Sequence, residues 1–131
     1  MPRVTGPLEF RAAVESRDLG RMRAALADDV AFRSPVVFRP YEGKEAVAHL
    51  LSHVVEVLGD FVYTDQLEGD GTHALIFRAR VGDKQVEGLD HLTVDSDGLV
   101  TELVVMLRPL SGVIAAAEAM GARLAADPVP S

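Results

Sequence analysis

Few reactive side chains in this 131-residue sequence stand against the grain of their surroundings. The clearest is Asp90, in the stretch KQVEGLDHLTVDSDGLVTELVVMLRP at residues 84–109. Strand alternation puts Val86, Gly88, Asp90, Leu92 and Val94 on one face and Gln85, Glu87, Leu89, His91 and Thr93 on the other. The first face is the apolar one, so Asp90 points at the core. An ionised carboxylate there is costly without a partner. Desolvation raises its pKa and favours a neutral acid that donates a hydrogen bond. The purely structural alternative is a buried aspartate satisfied by Ser34, a tyrosine hydroxyl or an arginine.

Other candidates are weaker in chemistry or in placement. His73 falls on the apolar face of its strand beside Leu75 and Phe77, as an acid or base near neutral pH or as a core-edge histidine bonded to backbone. Ser34 shares a face with Phe32 and would reach a ligand across from Asp90, or simply end a strand before Pro35. It has no evident base, which argues against it as a nucleophile. Tyr41 lies in a loop and offers a hydroxyl at a rim. His49 and His53, four apart with Glu56 on one helix, have metal-ligand spacing. They oppose the apolar stripe of that helix and have no further matched ligand, so neither a metal nor a cofactor is expected. Phe10, Phe32, Ser34, Tyr41, Val54, Phe77, Leu92 and Val105 are read as lining a pocket around Asp90.

These residues need elements to hold them. A short amphipathic helix begins at Pro7, and Asp18 caps a second over residues 19–27. The double acid Asp28-Asp29 ends that helix, a short strand covers 30–34, and an irregular loop carries Phe38, Pro40 and Tyr41. Residues 44–58 form the clearest helix, with Val47, Leu50, Leu51, Val54 and Leu58 in one stripe and Gly59 closing it. The period then drops to two. Strands at 61–67, 72–81, 84–94 and 99–109 are separated by EGDG, Gly82-Asp83 and residues 95–98. Ser111 caps a last, alanine-rich helix over 112–126. Residues 1–6 and 127–131 read as a disordered start and tail around a single domain at 7–126. Helices gathered on one side of a curved, mostly antiparallel sheet make an α+β domain with an apolar interior, the usual place for a small ligand.

Composition narrows the partners. Cysteine is absent, which excludes disulfides, thiolate metal sites and cysteine nucleophiles. Twenty acidic residues against 13 basic give a net charge of −7, the wrong sign for nucleic acid. No apolar run approaches a membrane span and the N-terminus has no signal-type apolar region, so a cytoplasmic protein with no membrane partner is expected.

Three blocks, ALADDVAFRSPVVF, YEGKEAV and GLDHLTVDSDGLVTELVVMLRP, carry a resemblance across residues 8 to 110. They resemble the nuclear transport factor 2-like superfamily in its steroid-isomerase-like and polyketide-cyclase-like branch. The resemblance implies a cone-shaped, cystatin-like fold, here with an extra C-terminal helix, and a homodimer packed through the outer faces of the sheets. Val104 and Met106 on the outer parity of the last strand fit such a face; a cover by the C-terminal helix is the competing explanation. The family's ketosteroid isomerases use an aspartate before the first strand's proline as base, an oxyanion-hole tyrosine in the first helix, and a protonated aspartate in the penultimate strand. The matching positions are Ser34, Phe10 and Asp90, so only the last is retained. The implied function is binding of an apolar small molecule with Asp90 as a buried hydrogen-bonding acid. The alternative is an isomerase, cyclase or hydratase acting on a small carbonyl compound through Asp90 and His73.

Overall fold

The computed structural model describes residues 6–130. Four helices and six strands follow one another as α1 (Gly6–Ser16), α2 (Leu19–Ala24), β1 (Leu26–Arg33), β2 (Tyr41–Glu42), α3 (Lys44–Val57), β3 (Gly59–Gly69), β4 (Thr72–Val81), β5 (Lys84–Val94), β6 (Val100–Arg108) and α4 (Leu110–Ala126). The expected disordered start at 1–6 lies outside the described residues except for Gly6, which opens α1.

One six-stranded sheet carries the fold, in the order β2-β1-β6-β5-β4-β3. The β3–β6 meander is antiparallel throughout, whereas β1 runs parallel to β6. The meander forms because each turn supplies the backbone its hairpin needs. Asp70 and Gly71 both take positive φ in the two-residue turn between β3 and β4, and Gly82 does so between β4 and β5. The side chain of Asp95 accepts from the amides of Asp97 and Leu99 and shapes the turn into β6.

The alternation read from sequence is the one observed. His73, Leu75, Phe77, Ala79 and Val81 of β4, and Val86, Asp90 and Leu92 of β5, are buried on the inner face. Packed against that face are Phe10 of α1, the Val47, Leu50 and Leu51 stripe of α3, and Ala116 of α4. Gly112 brings the first turns of α4 close to β5: a Cβ there would stand 2.3 Å from Val86 Cγ1. Since α4 lies on the inner side, it does not cover the outer face, and that explanation for Val104 and Met106 is excluded.

Several local expectations need correction. The second helix stops at Ala24, and residues 26–29 join the sheet. Leu26 pairs with Val100, and the Val100 amide donates to the Ala25 carbonyl at 2.9 Å. Sheet pairing there outweighs the helical propensity of the ALADD stretch. Asp28 and Asp29 fall in the irregular part of β1, between its paired residues Leu26 and Ala31. The cap of α4 is Pro109, not Ser111, and it uses no side-chain bond. On the exposed side of the sheet Arg33 pairs with Glu102, Arg78 and Arg108 both approach Glu87, and Arg80 pairs with Asp60.

Candidate ligand cavity

Between the sheet and the helices is a cavity of about 470 Å³. Its walls are mainly apolar: Leu50 and Val54 from α3 and Leu58 just after it, Phe77 from β4, Leu103, Val105 and Leu107 from β6, and Ala116, Met120 and Leu124 from α4. The sheet parity that buries these side chains also delivers Asp90 into the same space. In register, Asp90 faces Leu75 on β4 and Val105 on β6.

Asp90 is only 7 % exposed, and Tyr63 is its one hydrogen-bond partner among the described residues. The Tyr63 hydroxyl donates to Asp90 Oδ2 at 2.9 Å. Burial pushes the Asp90 carboxyl up to about 7, against a smaller downward pull from that bond. Burial likewise raises the Tyr63 phenol well above its ordinary value, with the Asp90 charge adding to it. Tyr63 therefore remains a donor through the physiological range, while Asp90 exchanges its proton near neutrality. With no cation among the described residues bonded to it, the carboxyl can donate a hydrogen bond when neutral and accept a proton when ionised.

Of the residues expected around this pocket, Asp90, Phe10, Phe32, Ser34, Tyr41, Val54, Phe77 and Val105 all line the cavity. Leu92 and His73 do not. They face each other one inward pair further along β4 and β5, on the side of Asp90 away from Phe77. Leu92 is fully buried in the core, and His73 Nδ1 is buried without a hydrogen bond, with Glu68 Oε2 at 3.5 Å. Parity placed His73 on the correct face, but its position along the strand takes it past the cavity. Ser34 Oγ accepts from the Val36 amide at 3.0 Å, and among the described residues no base is hydrogen-bonded to its hydroxyl.

Two contacts lie beyond the sequence pattern. One is made by Tyr63, in the strand expected at 61–67, which alternates inward with Phe61 and is the tyrosine whose hydroxyl meets Asp90. The other is the cluster beneath α4. His53, expected on a solvent face, is buried there because α4 and the chain beyond it fold over α3. Arg123 Nε donates to His53 Nδ1 at 2.9 Å, and His53 Nε2 bonds Asp127 Oδ2 at 2.9 Å. His49 Nε2 reaches the Asp127 carbonyl at 3.0 Å. Residue 127, expected at the start of a frayed tail, is thus tied to α3. His49, His53 and Asp127 have potential ligand atoms within 4.8 Å of one another. Metal-bound histidines donate through their second nitrogen, whereas that nitrogen of His53 faces a donor, Arg123. Its Nε2 therefore carries the hydrogen given to Asp127, and the cluster is a hydrogen-bonded tie. Glu56, the third member of the helical trio read from sequence, pairs instead with Arg17 at 3.5 Å.

The profile of the SnoaL-like domain matches residues 8–103. The chain belongs to this SnoaL-like family. The SnoaL-like domain falls in the nuclear transport factor 2-like superfamily. This SnoaL-like chain is similar to a steroid delta-isomerase of Pseudomonas aeruginosa, with 39 % identity, TM-score 0.88, and 92 % of this chain and 90 % of that one covered. An uncharacterised bacterial protein with a cystatin-like fold from Silicibacter pomeroyi is 31 % identical, with TM-score 0.89 over 93 % and 86 % of the two chains. A SnoaL-like protein of unknown function from Burkholderia thailandensis shares the fold at 20 % identity, with TM-score 0.66 over 77 % and 90 %. No curated protein matches the chain. Among the described residues no helix is long and apolar enough to cross a membrane.

Proposed function

We propose that this SnoaL-like protein binds a largely apolar small molecule whose oxygen accepts a hydrogen bond from neutral Asp90. One observation carries the reading: among the described residues Asp90 is the one buried acid, held by Tyr63 and paired with no cation, and it opens onto an apolar cavity. Apolar pockets with a few convergent polar groups of shifted pKa are the usual ligand sites of small domains. Calorimetry with a panel of apolar ketones and alcohols tests it. Wild-type affinity is expected to fall at least tenfold as pH rises through about 7, where Asp90 loses the proton it donates. Asp90→Asn is expected to bind without that pH dependence, and Asp90→Leu to lose affinity. Binding that ignores both pH and Asp90→Leu overturns the reading.

A second reading is proton-transfer catalysis of the isomerase type, favoured by the similarity to the Pseudomonas aeruginosa steroid delta-isomerase. A carboxyl that titrates near the working pH suits such a step. It would rest on Asp90, because His73 lies off the cavity and Ser34 stands where the resemblance places the base.

We also infer a homodimer formed through the outer face of the sheet. Ile76, Leu89 and Met106 are register partners across β4, β5 and β6, an apolar row on that face. Met106 is 57 % exposed in the single chain, and Val62 and Leu67 of β3 add to the exposed apolar area.

A further inference from the structure

Tyr63 and Asp90 belong to strands that are not neighbours. Tyr63 is on β3 and Asp90 on β5, two steps of about 4.8 Å apart across the sheet. The phenol must therefore pass over β4, whose inward side chains at that level are Leu75 and Phe77. In register, Tyr63 faces Phe77, and Phe77 faces Gly88. Gly88 is the inward position next to Asp90, and it has no side chain.

The ring of Phe77 occupies that space. A Cβ on Gly88 would stand 2.3 Å from Phe77 Cζ and 2.7 Å from Cε2, so the ring lies across the bare glycine backbone. Phe61 stacks on Phe77 with ring centres 4.7 Å apart and an angle of 25°. Tyr63 then meets both rings edge to face, at 4.9 Å from Phe61 and 6.4 Å from Phe77, each at 88°. On the solvent side, the Arg11 guanidinium lies 5.3 Å from the centre of the Tyr63 ring.

We propose that Phe77, laid over β5 by Gly88, is a positioning residue that steers the Tyr63 hydroxyl onto Asp90. Edge-to-face contacts fix the plane of the phenol, and the cleared path over β4 fixes its reach. The inference deepens the binding reading, which makes Asp90 the working group, but it can be tested with no ligand present.

The Asp90 carboxyl can be titrated by carbon-13 NMR in the full chain. The bond from Tyr63 favours the ionised form, so its loss raises the midpoint. Tyr63→Phe is expected to raise it by about one pH unit, the worth of one hydrogen bond to a charged group. Phe77→Leu is expected to raise it in the same direction, and to add nothing in the Tyr63→Phe background. Gly88→Ala should do likewise by forcing the ring back into the path. That substitution also meets the Met106 carbonyl at 2.8 Å, so if it fails to fold, Phe77→Leu carries the test. A folded Phe77→Leu with the wild-type midpoint overturns the proposal. So does an equal shift with and without the Tyr63 hydroxyl, because Phe77 would then act through burial alone. A cavity that binds nothing would still return the expected shift, so failure of the binding reading is distinguishable.

Discussion

Asp90 binds a proton more tightly in the folded chain than in the unfolded one, because the cavity withdraws it from water. Its carboxyl rises from 3.8 to about 7 on folding. Between these values the native state holds a proton that the unfolded chain has released, so stability must fall as pH rises. The contribution is fully present below 3.8 and is lost on passing through about 7, a change of roughly 4 kcal/mol. In urea unfolding, the stability difference between wild type and Asp90→Asn should therefore move in favour of the variant as pH climbs from 4 to 8. A difference independent of pH would place the carboxyl in water. The inward direction of Asp90 was legible in the sequence because alternation is a local property. Which of the candidate partners it takes, a tyrosine among them, was not, since the Tyr63 bond passes over β4 and depends on where Phe77 lies.

The elements of the sheet were easier to read than the helix that closes the cavity. Strong period-two runs and glycine turns marked β4 and β5 to the residue. The short second helix was overextended because its last residues are claimed by pairing with β6, a contact far away in sequence. For α4, composition showed a helix but not its seat, which two contacts decide. Gly112 admits Val86 at the N-terminal end, and Arg123 with Asp127 holds His53 at the other. Gly112→Val should cost about 1–3 kcal/mol by overpacking, readable as a lower melting temperature. Asp127→Ala removes the acceptor of the buried His53 and should cost about 1 kcal/mol. Its mark would be faster hydrogen exchange confined to the last turns of α4, and protection equal to wild type there would show that the tie does not hold the helix.

For the molecule as a whole, the two faces of the sheet have different fates. The inner face is filled by helices and cavity, whereas the outer face keeps the apolar Ile76, Leu89 and Met106 row beside the Arg78, Glu87 and Arg108 charges. If that row is buried between two copies, Met106→Arg should convert a dimer into a monomer in sedimentation experiments while leaving the fold intact. A wild-type chain that sediments as a monomer would refute the interface. The alternation of β5 and β6 made the outer apolar residues visible in advance. That α4 leaves them bare became clear only from its packing on the inner side.

The cavity is also unequally built. Its sheet side is composed of paired strands whose side chains are locked by register, so enlarging or shrinking it there disturbs several contacts at once. Its α4 side presents Ala116, Ala117 and Gly121, and a Cβ at Gly121 would meet nothing within 4 Å. Gly121 is therefore a position on this wall where a side chain can be added without a clash. A substitution at Gly121 would change this wall while leaving the acid and the sheet that holds it unchanged.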